Sequence, residues 1–154
     1  MLNNEIKNTI ETSVLCWVAT VDADNTPNVS PKEMFTYLDN TTLLVANIAS
    51  PNTVANIRQN PNVCVSFVDI FVQKGYKLKG VATIIDKKDP RFSSVLKPLT
   101  DIYSDKFPVL GVMSIEVTQV NKIVAPSYYL FPETTEKSQI ESAMKTYKVM
   151  PLIN

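Results

Sequence analysis

The sequence predicts a mainly β protein, six antiparallel strands closed into a small barrel with flanking helices, as one domain over residues 1–154. Three observations carry that prediction. Six segments are rich in apolar and β-branched residues at strand length. Short turns built from Asp, Asn and Pro separate them. No strand carries a run of charge to guard an open edge, which fits closure. At 154 residues the chain is long enough to bury a sizeable core.

Taken in order, Ile6 and Ile10 are four apart with charges between them, the spacing of a short amphipathic helix over Asn3–Thr12. Val14–Val21 is apolar and β-branched and reads as a buried strand. Asp22–Pro27 turns the chain. Asn28–Leu38 is the second extended segment, and Pro31, which has no N–H, places it at a sheet edge or a bulge. Asp39-Asn40 turns into a third strand at Leu43–Ala46. Val63, Val65 and Phe67 alternate with Cys64, Ser66 and Val68, so Val63–Asp69 has one face in the core. Tyr76–Ile85 follows, with Lys77 and Lys79 on one face and Tyr76 and Leu78 on the other; Gly80 marks a bulge or a close backbone approach. Asp89-Pro90 is a cap-then-proline signal for a helix from Pro90 to Ser104, bent at Pro98. Val109–Val124 is the sixth strand. Thr134–Glu136 caps a last helix at about 134–147, with Ile140, Ala143, Met144 and Tyr147 on one side.

The chemistry concentrates in the run from Thr42 to Pro61, TLLVANIASPNTVANIRQNP. It reads as a strand, a tight polar bend and a helix N-terminus. Ser50 is a good N-cap and Pro51 suits the first helical position. Such a junction gathers unpaired N–H donors and the positive end of a helix dipole, a place to hold a phosphate. Asn47, Ile48, Ser50, Asn52 and Thr53 form that bend. Capped helices that bind nothing are commoner, so the local pattern alone leaves both readings open.

Composition removes several alternatives. Fifteen basic and fifteen acidic residues cancel, and Arg58 and Arg91 are the only arginines, so no nucleic-acid partner is expected. The chain has no histidine, which excludes a Ser-His-Asp mechanism, His-ligated haem and the common zinc sites. No metal site can be assembled. Cys16 and Cys64 each lie in an apolar run and read as buried, reduced thiols. MLNNEIKNTIETS lacks a basic stretch followed by an apolar core, and no apolar run reaches membrane-spanning length. The expectation is a cytoplasmic protein with no membrane partner.

The run CWVATVDADNTPNVSPKEMFTYLDNTTLLVANIASPNTVANIRQNPNVCVSFVD, followed by YKLKGVATII, resembles the pyridoxamine 5′-phosphate oxidase-like, FMN-binding split-barrel family. The resemblance covers about Leu15 to Ile85, and its order and spacing are more specific than any one motif. It implies a split barrel that works as a homodimer with FMN at the subunit interface. It places the phosphate near the bend from Asn47 to Thr53, and Val29, Ser30, Pro31 and Lys32 along the flavin ring and ribityl chain. Lys32 becomes the natural phosphate cation, worth about 1.5–3 kcal/mol as a charge-assisted hydrogen bond. Lys77 and Lys79 are secondary candidates for the pyrimidine edge, reached from the second protomer. Family members often carry Arg or Lys where this chain has Asn52 and Thr53. The oxidase proper also has a Trp- and Arg-containing C-terminal segment, whereas PSYYLFPETTEKSQIESAMKTYKVMPLIN has neither, which argues against vitamin B6 as substrate. The resemblance implies an FMN-dependent oxidoreductase exchanging hydride or electrons with a small-molecule donor or acceptor. The alternative is a non-catalytic FMN-binding protein for electron transfer or flavin storage. No individual catalytic residue is assigned.

Overall fold

The structure is a computed structural model, and it describes residues 1–152. The described elements run α1 (Asn4–Thr12), β1 (Cys16–Val21), β2 (Pro27–Lys32), β3 (Phe35–Tyr37), β4 (Thr42–Asn47), α2 (Pro51–Gln59), β5 (Asn62–Asp69), β6 (Lys74–Asp86), α3 (Phe92–Ile102), β7 (Gly111–Val124), α4 (Ser127–Leu130) and α5 (Glu136–Tyr147). The strands form one seven-stranded sheet in the order β2-β1-β5-β6-β7-β4-β3, every pairing antiparallel.

That order dictates curvature. The two edges, β2 and β3, are separated in the chain only by Glu33 and Met34. A flat sheet of seven strands would hold its edges about 29 Å apart at ~4.8 Å per strand. The link from Lys32 to Phe35 spans at most about 11 Å. The sheet therefore curls until its edges meet, joined there by covalent bonds and not by a ladder. The predicted antiparallel barrel is present, split along this seam. The single segment expected over Asn28–Leu38 is in fact two strands on opposite edges, so there are seven strands where six were expected. Pro31 sits in edge strand β2, as its missing N–H requires.

Two apolar clusters hold the curl. Inside the barrel, Val18, Phe35, Val45, Val65, Phe67, Leu78 and Ile115 pack with Ile6 and Ile10 from α1 and Val54 and Ile57 from α2. Outside it, α3 lays Val95 and Leu99 against Leu44, Ala46, Ile85 and Val112. Strand β4 thus sends Leu43 and Val45 inward and Leu44 and Ala46 outward into apolar contacts, which is why its sequence is continuously apolar. The register slips between Lys79 and Gly80, and a Cβ at Gly80 would strike the Glu116 carbonyl across the β6–β7 pair, so both expectations for that glycine hold.

One helix start differs from expectation. α3 begins at Phe92, because Asp89 accepts from the Arg91 N–H at 2.9 Å and pairs with its guanidinium instead of capping from Pro90; Pro98 is accommodated inside the helix. α5 keeps its cap, a reciprocal pair between Thr135 and Ser138. Cys16 is fully buried, whereas strand alternation turns Cys64 to the outer face, where it is half-buried.

Candidate functional site

The seam is where the site lies. Along β2, Asn28, Ser30 and Lys32 turn inward and Pro27, Val29 and Pro31 outward. Lys32 is 7% exposed. Its ammonium donates to the Ser30 hydroxyl at 2.7 Å and to the Ser50 hydroxyl. The ion pairs among the described residues involve Lys74, Arg91, Lys97 and Lys122, so no carboxylate balances Lys32. Burial pushes its pKa below the ordinary lysine value, with a smaller opposing pull from the Cys16 side chain.

Ser50 has been diverted to this task. It occupies the N-cap position of α2 and Pro51 follows as expected, yet its hydroxyl makes no capping bond and faces Lys32 instead. The bend is held from behind by Asn47, whose side-chain oxygen accepts from the Ser50 N–H at 3.2 Å. Over these groups opens a cavity of about 460 Å³, within the usual range of ligand pockets. Ser30, Pro31, Lys32, Ile48 and Ser50 line it, together with Trp17, Met34 and Phe107. Its inventory is one buried cation without an ion pair, two hydroxyls, the Glu33 carboxylate and apolar walls. That set suits an anion carried on a largely apolar body.

The other predicted positions fall elsewhere. Asn52 is exposed and lines a separate hollow beside Asn28 and Asn56. Thr53 is 1% exposed and lies 3.4 Å from the Asn28 amide. Val29 points outward from β2. Lys77 and Lys79 are exposed on the outer face of β6, and Cα pairing places Lys77 in line with Ser66 and Trp17, and Lys79 with Cys64 and Ala19. Apart from the predicted positions, Tyr128 donates its hydroxyl to the Val72 carbonyl at 2.8 Å, away from the cavity, and Tyr129 is exposed. Trp17 and Phe107 had no sequence assignment. Trp17 was readable in principle: Cys16 and Val18 face the core, so the residue between them must face out.

A profile of the pyridoxamine 5′-phosphate oxidase family matches residues 2–124. The chain belongs to that family. The matched span runs from α1 to the end of β7 and so contains every element around the cavity. Among solved structures, HupZ from Group A Streptococcus is 28% identical, with a TM-score of 0.67 over 78% of this chain and 92% of that one. An FMN-binding protein from Syntrophomonas wolfei is 14% identical, with a TM-score of 0.67 over 80% of this chain and 87% of its own. HutZ, the haem storage protein of Vibrio cholerae, is 19% identical, with a TM-score of 0.64 over 80% and 94% of the two chains. The last two establish a shared fold and nothing further. No curated protein matches.

Within this family fold, the remaining chemistry near the seam is sparse. Cys16 lies in the core behind Lys32, and burial pushes its thiol up to about 12. Cys64 is also raised, by burial first, against the pull of Lys77 and Lys79. Neither is an activated nucleophile. No group of three or more acidic, Cys or His residues suited to a metal occurs among the described residues. No described helix is long and apolar enough to cross a membrane.

Proposed function

We propose that this protein is an FMN-binding oxidoreductase that works as a homodimer, with the flavin at the subunit interface, and exchanges hydride or electrons with a small molecule. The observation that carries the reading is Lys32, a buried cation held by two hydroxyls and balanced by no carboxylate. An uncompensated charge is costly to bury, so it points to an anion that arrives from outside. The phosphate of FMN supplies a dianion, and the adjoining apolar walls suit a flavin ring. In this arrangement Lys32 and Ser50 hold the phosphate, Ser30 orients the lysine, and Asn47 fixes the bend. Bound FMN would supply the redox chemistry, while the protein supplies binding and orientation.

The dimer reading is supported by the outer face of the sheet. Val29 and Trp17 are 59% and 46% exposed on the outer face beside the site, an apolar surface that a second copy would cover. Gel filtration of the intact chain at micromolar concentration is expected to show a dimer, and a purely monomeric elution would remove this part of the reading.

The first test is the visible absorption spectrum of the protein after FMN is added and the excess removed. A retained two-banded flavin spectrum, weakened by Lys32→Met, is expected; a colourless protein overturns the assignment. One observation favours the non-catalytic alternative: the titratable groups lining the cavity are Lys32 and Glu33 alone. Turnover with a nicotinamide donor supports the enzyme, and tight FMN without turnover supports an electron carrier or flavin store.

A further inference from the structure

The cavity at the seam is tied together at its anion end and loosely walled elsewhere. Around Lys32, hydrogen bonds join Ser30, Ser50 and Asn47 into one unit. Another part of the wall, Phe107, comes from the link between α3 and β7. That link is pinned at both ends. The Tyr103 hydroxyl donates to the Phe35 carbonyl at 3.1 Å. The Leu110 N–H donates to the Asn47 carbonyl at 2.8 Å, and Val109 beside it is buried in the outer cluster. Between the pins, Ser104, Asp105, Lys106, Phe107 and Pro108 are all exposed. Among the described residues, the backbone hydrogen bonds of this stretch are local: the Lys106 N–H to the Ser104 hydroxyl at 3.2 Å, and the Val109 N–H to the Phe107 carbonyl at 2.8 Å.

Phe107 lines the cavity, yet 46% of it is exposed and it belongs to neither apolar cluster. The fold therefore takes little from this ring. Held half in water at the cavity wall, it has apolar surface still to bury. A planar ring bound in the cavity would bury it by offset or edge contact. The loop is also joined to the anion end. Asn47, whose carbonyl holds Leu110, uses its side chain to hold the Ser50 N–H at 3.2 Å, and Ser50 meets Lys32. An anion drawn onto Lys32 and Ser50 thus acts on the same bend that anchors the loop.

We infer that Phe107 is a cover for this cavity: the loop from Ser104 to Pro108 closes on bound FMN, so that the Phe107 ring packs against the flavin ring and slows its departure. The inference rests on the flavin reading for the identity of the ligand. It adds a residue that sets how long the cofactor stays without touching the phosphate, carried by a segment remote in sequence from Lys32 and Ser50.

The test compares the full chain with Phe107→Ser and Phe107→Tyr. FMN association and release are timed separately by flavin emission after mixing and after dilution. Phe107→Ser is expected to release FMN about fivefold faster, the scale of re-exposing half of an aromatic side chain, with association within about twofold. Phe107→Tyr keeps the ring and should release FMN at the original rate. The thermal midpoint without FMN should be the same in all three, since the ring lies outside both apolar clusters. Trypsin supplies a second readout, because Lys106 is exposed and precedes Phe107. FMN should protect the bond after Lys106 in the original chain and in Phe107→Tyr, and leave it open in Phe107→Ser. Unchanged release and protection in Phe107→Ser, with FMN still retained, overturns the cover and leaves the flavin reading standing. Slower association with unchanged release also overturns it, since Phe107 would then shape only the entrance. A lowered thermal midpoint without FMN in Phe107→Ser would make the residue structural, and loss of the dimer on gel filtration would make it a subunit contact; either overturns the cover. An original chain that retains no FMN removes the flavin reading and the cover together.

Discussion

The two ends of β2's inward row form a natural comparison. Both are polar, where most of the barrel's other inward positions are apolar. At the Asn28 end, Thr20 accepts from the Asn28 and Asn56 amides at 3.2 and 3.1 Å, and Thr53 lies beside them. Those groups are neutral and satisfy one another. At the Lys32 end two hydroxyls meet a full positive charge, and the cluster opens onto a cavity. Hydroxyls solvate an ammonium but do not balance it. The neutral cluster is closed in the sense that its groups satisfy one another, although a hollow lies beside it, and it ties α2 to the sheet. The charged one is left open to a ligand and is a site. What separates them is whether the polar groups complete each other, since both are buried to a similar degree.

The largest expected effect lies at the open end. Lys32→Met keeps the aliphatic stem and removes the charge. FMN affinity should fall by roughly ten- to a hundredfold, the equivalent of about 1.5–3 kcal/mol for a charge-assisted bond. The thermal midpoint without FMN should hold or rise, because a buried unbalanced cation disfavours folding. A fall in both would mean that Lys32 is a structural residue. Thr20→Val tests the closed end by withdrawing the acceptor that the Asn28 and Asn56 amides share. It should lose about 1–3 kcal/mol in chemical denaturation and leave FMN affinity within about twofold. Loss of FMN binding at full stability would break the division between the two ends.

Strand periodicity and turn residues made most of this fold readable, because they are local. Val63–Asp69, the Gly80 bulge, the cap of α5 and the edge position of Pro31 all follow from neighbours in the chain. The break at Glu33-Met34 was not readable, since neither residue is a turn former and the interruption exists only because the sheet must close there. The site divides the same way. Lys32 was found through the resemblance and Ser50 through the local pattern of the bend, and the structure joins them. Asn52 and Thr53 share the helix N-terminus in sequence, but helical rotation turns Thr53 into the closed cluster and Asn52 toward a separate hollow. Trp17 and Phe107 reach the cavity from distant segments, and no local pattern reveals which segments a curled sheet brings together.

Acidity gives a subtler contrast. Burial lowers the Lys32 pKa in the empty site. Anion binding needs the protonated form, so FMN affinity should be full at neutral pH and decline as pH rises through that lowered value, earlier than an ordinary lysine near 10.4 would allow. Lys77 and Lys79 are exposed, so their variants Lys77→Gln and Lys79→Gln should keep this profile, whereas Lys32→Met should abolish it. Titrating FMN binding between pH 7 and 10 in the three variants checks this. A profile unchanged in Lys32→Met would assign the titration to another group.

The smallest effect separates the two hydroxyls that look alike around Lys32. Ser50 begins α2 and forgoes its capping bond to face the lysine, whereas Ser30 sits within β2 on the lysine's own strand. Removing a neutral hydrogen bond is worth about 0.5–1.5 kcal/mol, a two- to tenfold change. If Ser50 contacts the phosphate directly, Ser50→Ala should lose that much FMN affinity with little change in stability, because no cap is removed. Ser30→Ala should act only through the lysine, so its effect should vanish in a Lys32→Met background while that of Ser50→Ala persists. Such a double-mutant cycle isolates the coupling between neighbouring groups. Equal coupling of both serines to Lys32 would mean that Ser50 is also an orienting group, and that the phosphate is held by the lysine and the backbone of the bend.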